Sequence, residues 1–158
     1  MLLKLVKPSD EFFGKKWMPI ADRTFAQVKM IQATYSEGDV IGAIERVCFH
    51  RFDYAEITSR DVTEFFAFWR AIHLQLEELK KIEENIGEYD YDMDSAGVDK
   101  LAKYGMMLSV DGLAGGDMTK WKEIERMPYK DVIVKKMMDA DLALFNQRLS
   151  KIKMRKKP

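Results

Sequence analysis

Apolar residues recur at three- and four-residue spacing through most of this chain, which is the period of an amphipathic helix. Phe25, Val28, Ile31 and Tyr35 predict a first helix, opened by Asp22 and ended by Gly38. Asp39 is placed to cap a second, whose apolar face is Val40, Ile44, Val47 and Cys48. The strongest pattern follows a turn through HRFDYAEI. Val62, Phe65, Phe66, Trp69, Ile72, Leu76, Leu79 and Ile86 form one stripe, stopped by Gly87. Thr58 and Asp61 have the spacing of a capping box, with Asp in place of Glu. At 1.5 Å per residue this helix is on the order of 40 Å long, a length that suits the spine of a bundle.

Beyond an acidic aromatic loop, EYDYDMDS, the signals are shorter. Ser95 can cap a brief helix carrying Val98, Leu101 and Ala102, ended by Gly105. Ser109 starts a further turn that Gly115 and Gly116 break, and Asp117 caps a helix with Met118, Trp121 and Ile124. Pro128 opens a last helix that runs to about residue 152, with Val132, Ile133, Met137, Ala140, Leu144, Phe145, Leu149 and Ile152 as its apolar positions. Upstream of everything, residues 2–6 (LLKLV) read as a short strand or arm that stops at Pro8. An aromatic loop with Phe12, Phe13 and Trp17 then closes at Pro19. The pattern therefore predicts an all-α fold, a compact bundle of five to seven helices around a long central one. It comprises an N-terminal arm over 1–20, one helical domain over 21–152 with its only candidate hinge at 87–95, and a basic tail over 153–158.

Composition narrows the function classes. The chain has 26 Lys and Arg against 26 Asp and Glu, so no overall charge marks it as a nucleic-acid binder or an acidic mimic. Hydrophobic residues make up 47% and charged residues 33%, the balance of a folded chain rather than a disordered one. Cys48 is the single cysteine and forms no internal disulfide. There is neither a signal-peptide pattern nor an apolar run of about 18 residues, so the expectation is a cytoplasmic protein without a membrane span.

A search for chemistry finds little. His50, three residues from Asp53, is read as a helix-end histidine rather than a base; a polar pocket joining it to two carboxylates would reverse that. His73 borders the long stripe. Asp90, Asp92 and Asp94 resemble the opening of an EF-hand loop, but position six is Ser95 and position twelve is Leu101, so a solvated acidic loop is expected. Gly112, Gly115 and Gly116 lack the Lys-Ser/Thr ending of a phosphate loop. Cys48 lies on an apolar face, as a buried structural thiol does. The sequence thus predicts no enzyme, no metal and no cofactor.

Charge and methionine distribution point to binding. Residues 77–99 carry nine acids (Glu77, Glu78, Glu83, Glu84, Glu88, Asp90, Asp92, Asp94, Asp99) against Lys80 and Lys81. The end of the chain carries Arg148, Lys151, Lys153, Arg155, Lys156 and Lys157 and no acid. Of 11 methionines, eight lie at Met93 or beyond; methionine is pliable and suits surfaces that accept apolar helices, though it also fills cores. Two roles follow. In the first, a groove or face built from Phe65, Phe66, Trp69, Trp121, Met137 and Met138 holds an apolar helix or another copy of the chain. In the second, less favoured because of the acidic belt, Lys151, Lys153, Arg155, Lys156 and Lys157 contact nucleic-acid phosphates.

The segment from Ala96 to Asp141 sets a short helix, a glycine turn, a Trp helix (TKWKEIERMPY) and a long terminal helix in that order. With FFAFWR at Phe65–Arg70, this arrangement resembles small helical proteins of tailed phages and prophages, nearest the tail assembly chaperones. The resemblance implies a small, mostly helical, non-enzymatic protein. Such proteins coat the apolar, helical tape-measure protein until the tail tube polymerises around it. The family brings no catalytic residues with it.

Overall fold

The computed structural model describes residues 6–59, 61–86 and 98–155, and among these it contains seven α-helices and one two-stranded hairpin. The helices are α1 (Phe25–Ser36), α2 (Val40–Cys48), α3 (Tyr54–Thr58), α4 (Val62–Ile86), α5 (Met106–Ala114), α6 (Trp121–Arg126) and α7 (Tyr129–Arg155). Short 3₁₀ turns at Ile20–Asp22, Val98–Tyr104 and Met118–Lys120 link them. The all-α bundle with a long central helix, α4, is as the apolar spacing predicts. Residues 2–5 of the expected strand, the 87–95 hinge, the acidic loop with Asp90, Asp92 and Asp94, and Lys156 and Lys157 lie outside the described residues.

The N-terminal segment forms a short hairpin that lies on the helices. Its strands are β1 (Glu11–Phe12) and β2 (Lys15–Lys16), with Phe12 opposite Lys15 across a two-residue turn. Phe13 and Gly14 both have positive φ, +55° and +67°, the twist that joins antiparallel strands most tightly. The hairpin drives Phe12 into the core at 0% exposure. There its ring stacks on Phe68 at 4.8 Å and meets Phe13, Phe52 and Phe65 edge-on. The backbone of this segment is laid along α4. Ser9 N–H donates to the Ala67 carbonyl, Phe13 N–H to Glu64 Oε1 and Ile20 N–H to Gln75 Oε1, while Arg70 reaches the Val6 carbonyl.

Helix α1 starts with a full capping box, Thr24 with Gln27, rather than at Asp22, which sits in the preceding 3₁₀ turn. It buries Phe25, Val28, Ile31 and Thr34 and packs against α2, which buries Ala43, Ile44, Val47 and Cys48. Asp39 caps α2 as expected, its carboxylate accepting from Gly42 N–H at 2.8 Å. The HRFDYAEI turn contains α3, opened by a capping box between Asp53 and Glu56. Thr58 therefore ends α3 and forms no box with Asp61; Asp61 alone accepts from Thr63 N–H ahead of α4. Helix α5 starts at Met106, three residues before the expected Ser109, and ends where Gly115 takes φ +67°.

The starts of α1 and α7 lie back to back. Phe25 N–H donates to the Met127 carbonyl at 2.8 Å and Tyr129 N–H to the Arg23 carbonyl at 2.9 Å, an isolated antiparallel bridge between Thr24 and Pro128. This clamp sets the direction of α7. Tyr129, Val132 and Ile133 are buried, and Lys130 pairs with Asp22. After Ile133 no residue of α7 is buried.

Candidate functional site

An extended apolar feature of the described surface forms where α7 leaves the body. Its first part is a groove of about 570 Å³ between α4 and α7. Leu79, Ile82, Tyr129 and Ile133 line it, Val134 and Met137 stand at its α7 side, and Gln75, Glu78 and Lys130 supply polar groups. Sequence dictates the groove. α4 and α7 each carry apolar residues at i, i+3, i+4 spacing, but their contacts end within the first turns of α7, so the two stripes part with space between them.

The second part is α7 itself. Ile133, Met137, Ala140 and Leu144 continue the row that faces the body, but past Ile133 that row is half-buried or exposed. A second row, Met138, Leu142, Phe145, Leu149 and Ile152, lies about 140° round the helix, at 100° per residue. It is exposed throughout: Met138 by 63%, Leu142 by 57%, Phe145 by 59% and Ile152 by 51%. The sequence pattern reads these apolar positions of the last helix as one set. The structure instead gives two rows on different faces, only the start of the first being packed. Sequence reasoning missed Leu142, although the 4-3-4-3 spacing from Met138 to Ile152 carries the signal.

The residues expected to bind a partner separate accordingly. Met137 and Met138 are on the exposed part of α7. Trp69 is only 9% exposed and belongs to the core, its ring against Tyr35. Phe65 packs edge-on with Phe12 and Phe66, and Phe65 and Phe66 border a shallow hollow with Ile57 and Val62 at the start of α4. Trp121 is half-buried, its indole N–H donating to Asp111 Oδ1 at 3.1 Å. These four aromatics therefore do not join Met137 and Met138 in one surface: the N-terminal segment covers the side of α4 that the stripe pattern alone leaves open. Lys151, Lys153 and Arg155 are exposed on the last turns of α7.

Several other polar side chains are engaged in contacts within the fold. A pocket of about 330 Å³ does bring His50 together with Asp39 and Glu45, beside Arg46 and Arg51. Both carboxylates are already engaged: Asp39 caps α2, and Glu45 Oε1 accepts from Phe52 N–H at 2.8 Å. His50 does not pair with Asp53, which caps α3; its Nε2 lies 4.0 Å from Glu56. His73 Nδ1 is 2.6 Å from the Tyr35 hydroxyl, whose ionisation burial pushes up, with Glu77 adding to the effect. Burial raises the Cys48 thiol to about 12, too high for a nucleophile at neutral pH. Arg23 is buried, donating to the Met18 and Val47 carbonyls beneath the Phe49 ring, and burial lowers its pKa. Among the described residues there is no group of three or more His, Cys, Asp or Glu that could hold a metal ion, and no helix long and apolar enough to cross a membrane. Compared with family models, curated proteins and solved structures, the chain finds no match, so its functional reading rests on the apolar groove and the exposed face of α7.

Proposed function

We propose that this protein is a non-enzymatic binding and assembly factor that holds apolar helical segments. The observation that carries the reading is the exposed row Met138–Leu142–Phe145–Leu149–Ile152 beside the α4–α7 groove. A contiguous apolar strip of this kind on a folded body marks an interaction surface, and its spacing matches the i, i+3, i+4, i+7 anchors of helix recognition. The finer form of the proposal is a tail assembly chaperone of a phage or prophage, acting in the host cytoplasm on a tape-measure-type partner. It is supported by the resemblance of the Ala96–Asp141 segment and by the pliable Met137 and Met138 at the surface.

The test uses a fluorescein-labelled amphipathic Leu/Ile-rich helical peptide titrated with the whole protein. Anisotropy is expected to rise saturably, and Phe145→Glu with Leu149→Glu to abolish the rise. No binding by the parent chain, at concentrations where sedimentation shows it monomeric, overturns the helix-holding reading. The tape-measure form has its own check in the flanking DNA, where a very long frame encoding an apolar, repetitive helical protein is expected. Lys151, Lys153 and Arg155 motivate the second reading, nucleic-acid binding; a strongly salt-dependent association with duplex DNA, lost on removing 151–158, would favour it instead.

A further inference from the structure

The exposed row of α7 has a spacing, a charge order and a steric setting that together select its occupant. We propose that α7 pairs antiparallel with α7 of a second copy of this chain, forming a two-fold dimer through Leu142, Phe145, Leu149 and Ile152. The proposal rests on the reading of this face as a binding surface and names its partner.

The row follows a heptad, with Leu142 and Leu149 at one seam position and Met138, Phe145 and Ile152 at the other. Laid antiparallel on itself, it has a register in which four successive seam layers are apolar: Leu142 on Ile152 of the second copy, Phe145 on Leu149, and the same two pairs repeated across the axis. That register then fixes the flanking positions without further choice. Asp139 faces Lys153 of the second copy and Asp141 faces Arg155, each twice by symmetry. Asn146 meets Asn146 at the axis, and Arg148 meeting Arg148 is the one like-charged contact. A parallel pair sets Arg148 against Lys153 on both sides and Asp141 against Asn146, with no opposite charges matched. Charge therefore selects the antiparallel arrangement. Asp139 already pairs with Lys135 of its own helix, but both side chains are more than half exposed and such a pair is readily exchanged.

The fold leaves room for this. The last buried residue of α7 is Ile133, and Lys136 Nζ lies 3.4 Å from Ser109 Oγ. The paired segment begins at Asp139, six residues past the last buried residue of α7, so the two bodies sit at opposite ends of the pair. The segment from Met137 to Arg155 also has a need for a partner. It extends about 28 Å with no buried residue, so it lacks the packing of an apolar face that supplies most of a helix's stability.

The experiment is sedimentation equilibrium on the whole chain and two charge variants. Variant one is Asp139→Lys with Asp141→Lys; variant two is Lys153→Glu with Arg155→Glu. The parent chain is expected to be a dimer. Each variant alone brings like charges together at both ends and is expected to dissociate at least tenfold more readily. An equimolar mixture restores every opposite pair and is expected to regain the parent's affinity. Phe145→Glu is expected to give a monomer with an unchanged thermal midpoint for the body. A parent chain that is monomeric at sub-millimolar concentration overturns self-pairing, whatever the peptide titration shows. A dimer that survives Phe145→Glu overturns this surface, and variant two dimerising by itself overturns the antiparallel register. Peptide binding by a monomeric parent would retain the helix-holding function while discarding the second copy as occupant.

Discussion

The phenol of Tyr129, at the start of α7, donates a hydrogen bond to the carboxylate of Glu83 near the end of α4. The same Oε1 accepts from Lys29 of α1 at 2.6 Å, so one carboxylate of α4 ties α1 and α7 together. Burial pushes the Glu83 carboxyl up, but the hydrogen bonds from Lys29 and Tyr129 outweigh it and hold the group below its ordinary range. The Tyr129 phenol is pushed well above its ordinary 10, by burial first and by Glu83 second.

The sign of the pH dependence follows. A depressed carboxyl stabilises the fold above its unfolded pKa of about 4.3, and that contribution is lost as pH falls through the folded value. The raised phenol stabilises below about 10 and loses its contribution as pH rises beyond that. Tyr129→Phe removes a hydrogen bond to a charged acceptor and is expected to cost about 1.5–3 kcal/mol at pH 7. The gap between parent and variant in urea unfolding should narrow as pH drops below 4. An unchanged gap would show that Glu83 does not carry the interaction.

At the start of α2, a Cβ added to Gly42 would lie 2.1 Å from Asp39 Oδ2 and 3.0 Å from Thr34 Cγ2. Gly42→Ala must therefore expel the capping carboxylate, and it is expected to destabilise by about 1–2 kcal/mol despite the better helix propensity of alanine. In an Asp39→Ala background the cap is already gone and most of the clash with it. There Gly42→Ala should be close to neutral. A thermal-unfolding double-mutant cycle measures the difference, and additive effects would refute the steric argument.

Phe12 distinguishes a core hairpin from a loose arm. Phe12→Ala removes a fully buried ring stacked on Phe68 and is expected to cost about 3–5 kcal/mol in chemical denaturation. A loss under 1 kcal/mol would mean that the N-terminal segment detaches without consequence.

Cys48, buried and with its thiol raised to about 12, should resist alkylation by iodoacetamide at pH 8 in the folded protein and react at once in denaturant. Mass spectrometry of the native reaction over hours reports the opening of α2. Rapid native labelling would contradict the packing of α2 against α1.

The long-range architecture was legible where one local signal had one interpretation. Asp39 before Val40, Asp117 before the Trp121 helix and the 25-residue run of α4 each combine a cap or stop with an uninterrupted apolar period. Thr58 and Asp61 were ambiguous, because the same capping spacing occurs five residues earlier at Asp53 and Glu56 and hides the five-residue α3. The hairpin gave no signal, since its turn sets Phe13 in a left-handed conformation where glycine or asparagine is usual. The hairpin covers Phe65 through Phe12, and α1 covers Trp69 through Tyr35, so the exposed apolar row is that of α7, where Met137 and Met138 were singled out from the sequence and Leu142 was passed over.

The Thr24–Pro128 bridge joins the two ends of the body, and this has a consequence for biosynthesis. Ribosomes deliver the chain from its N-terminus, so α1 waits for the segment that completes it until Tyr129 has been made. Every residue of the exposed row is translated after that point. The exposed apolar row therefore follows, in the order of synthesis, every segment that forms the body.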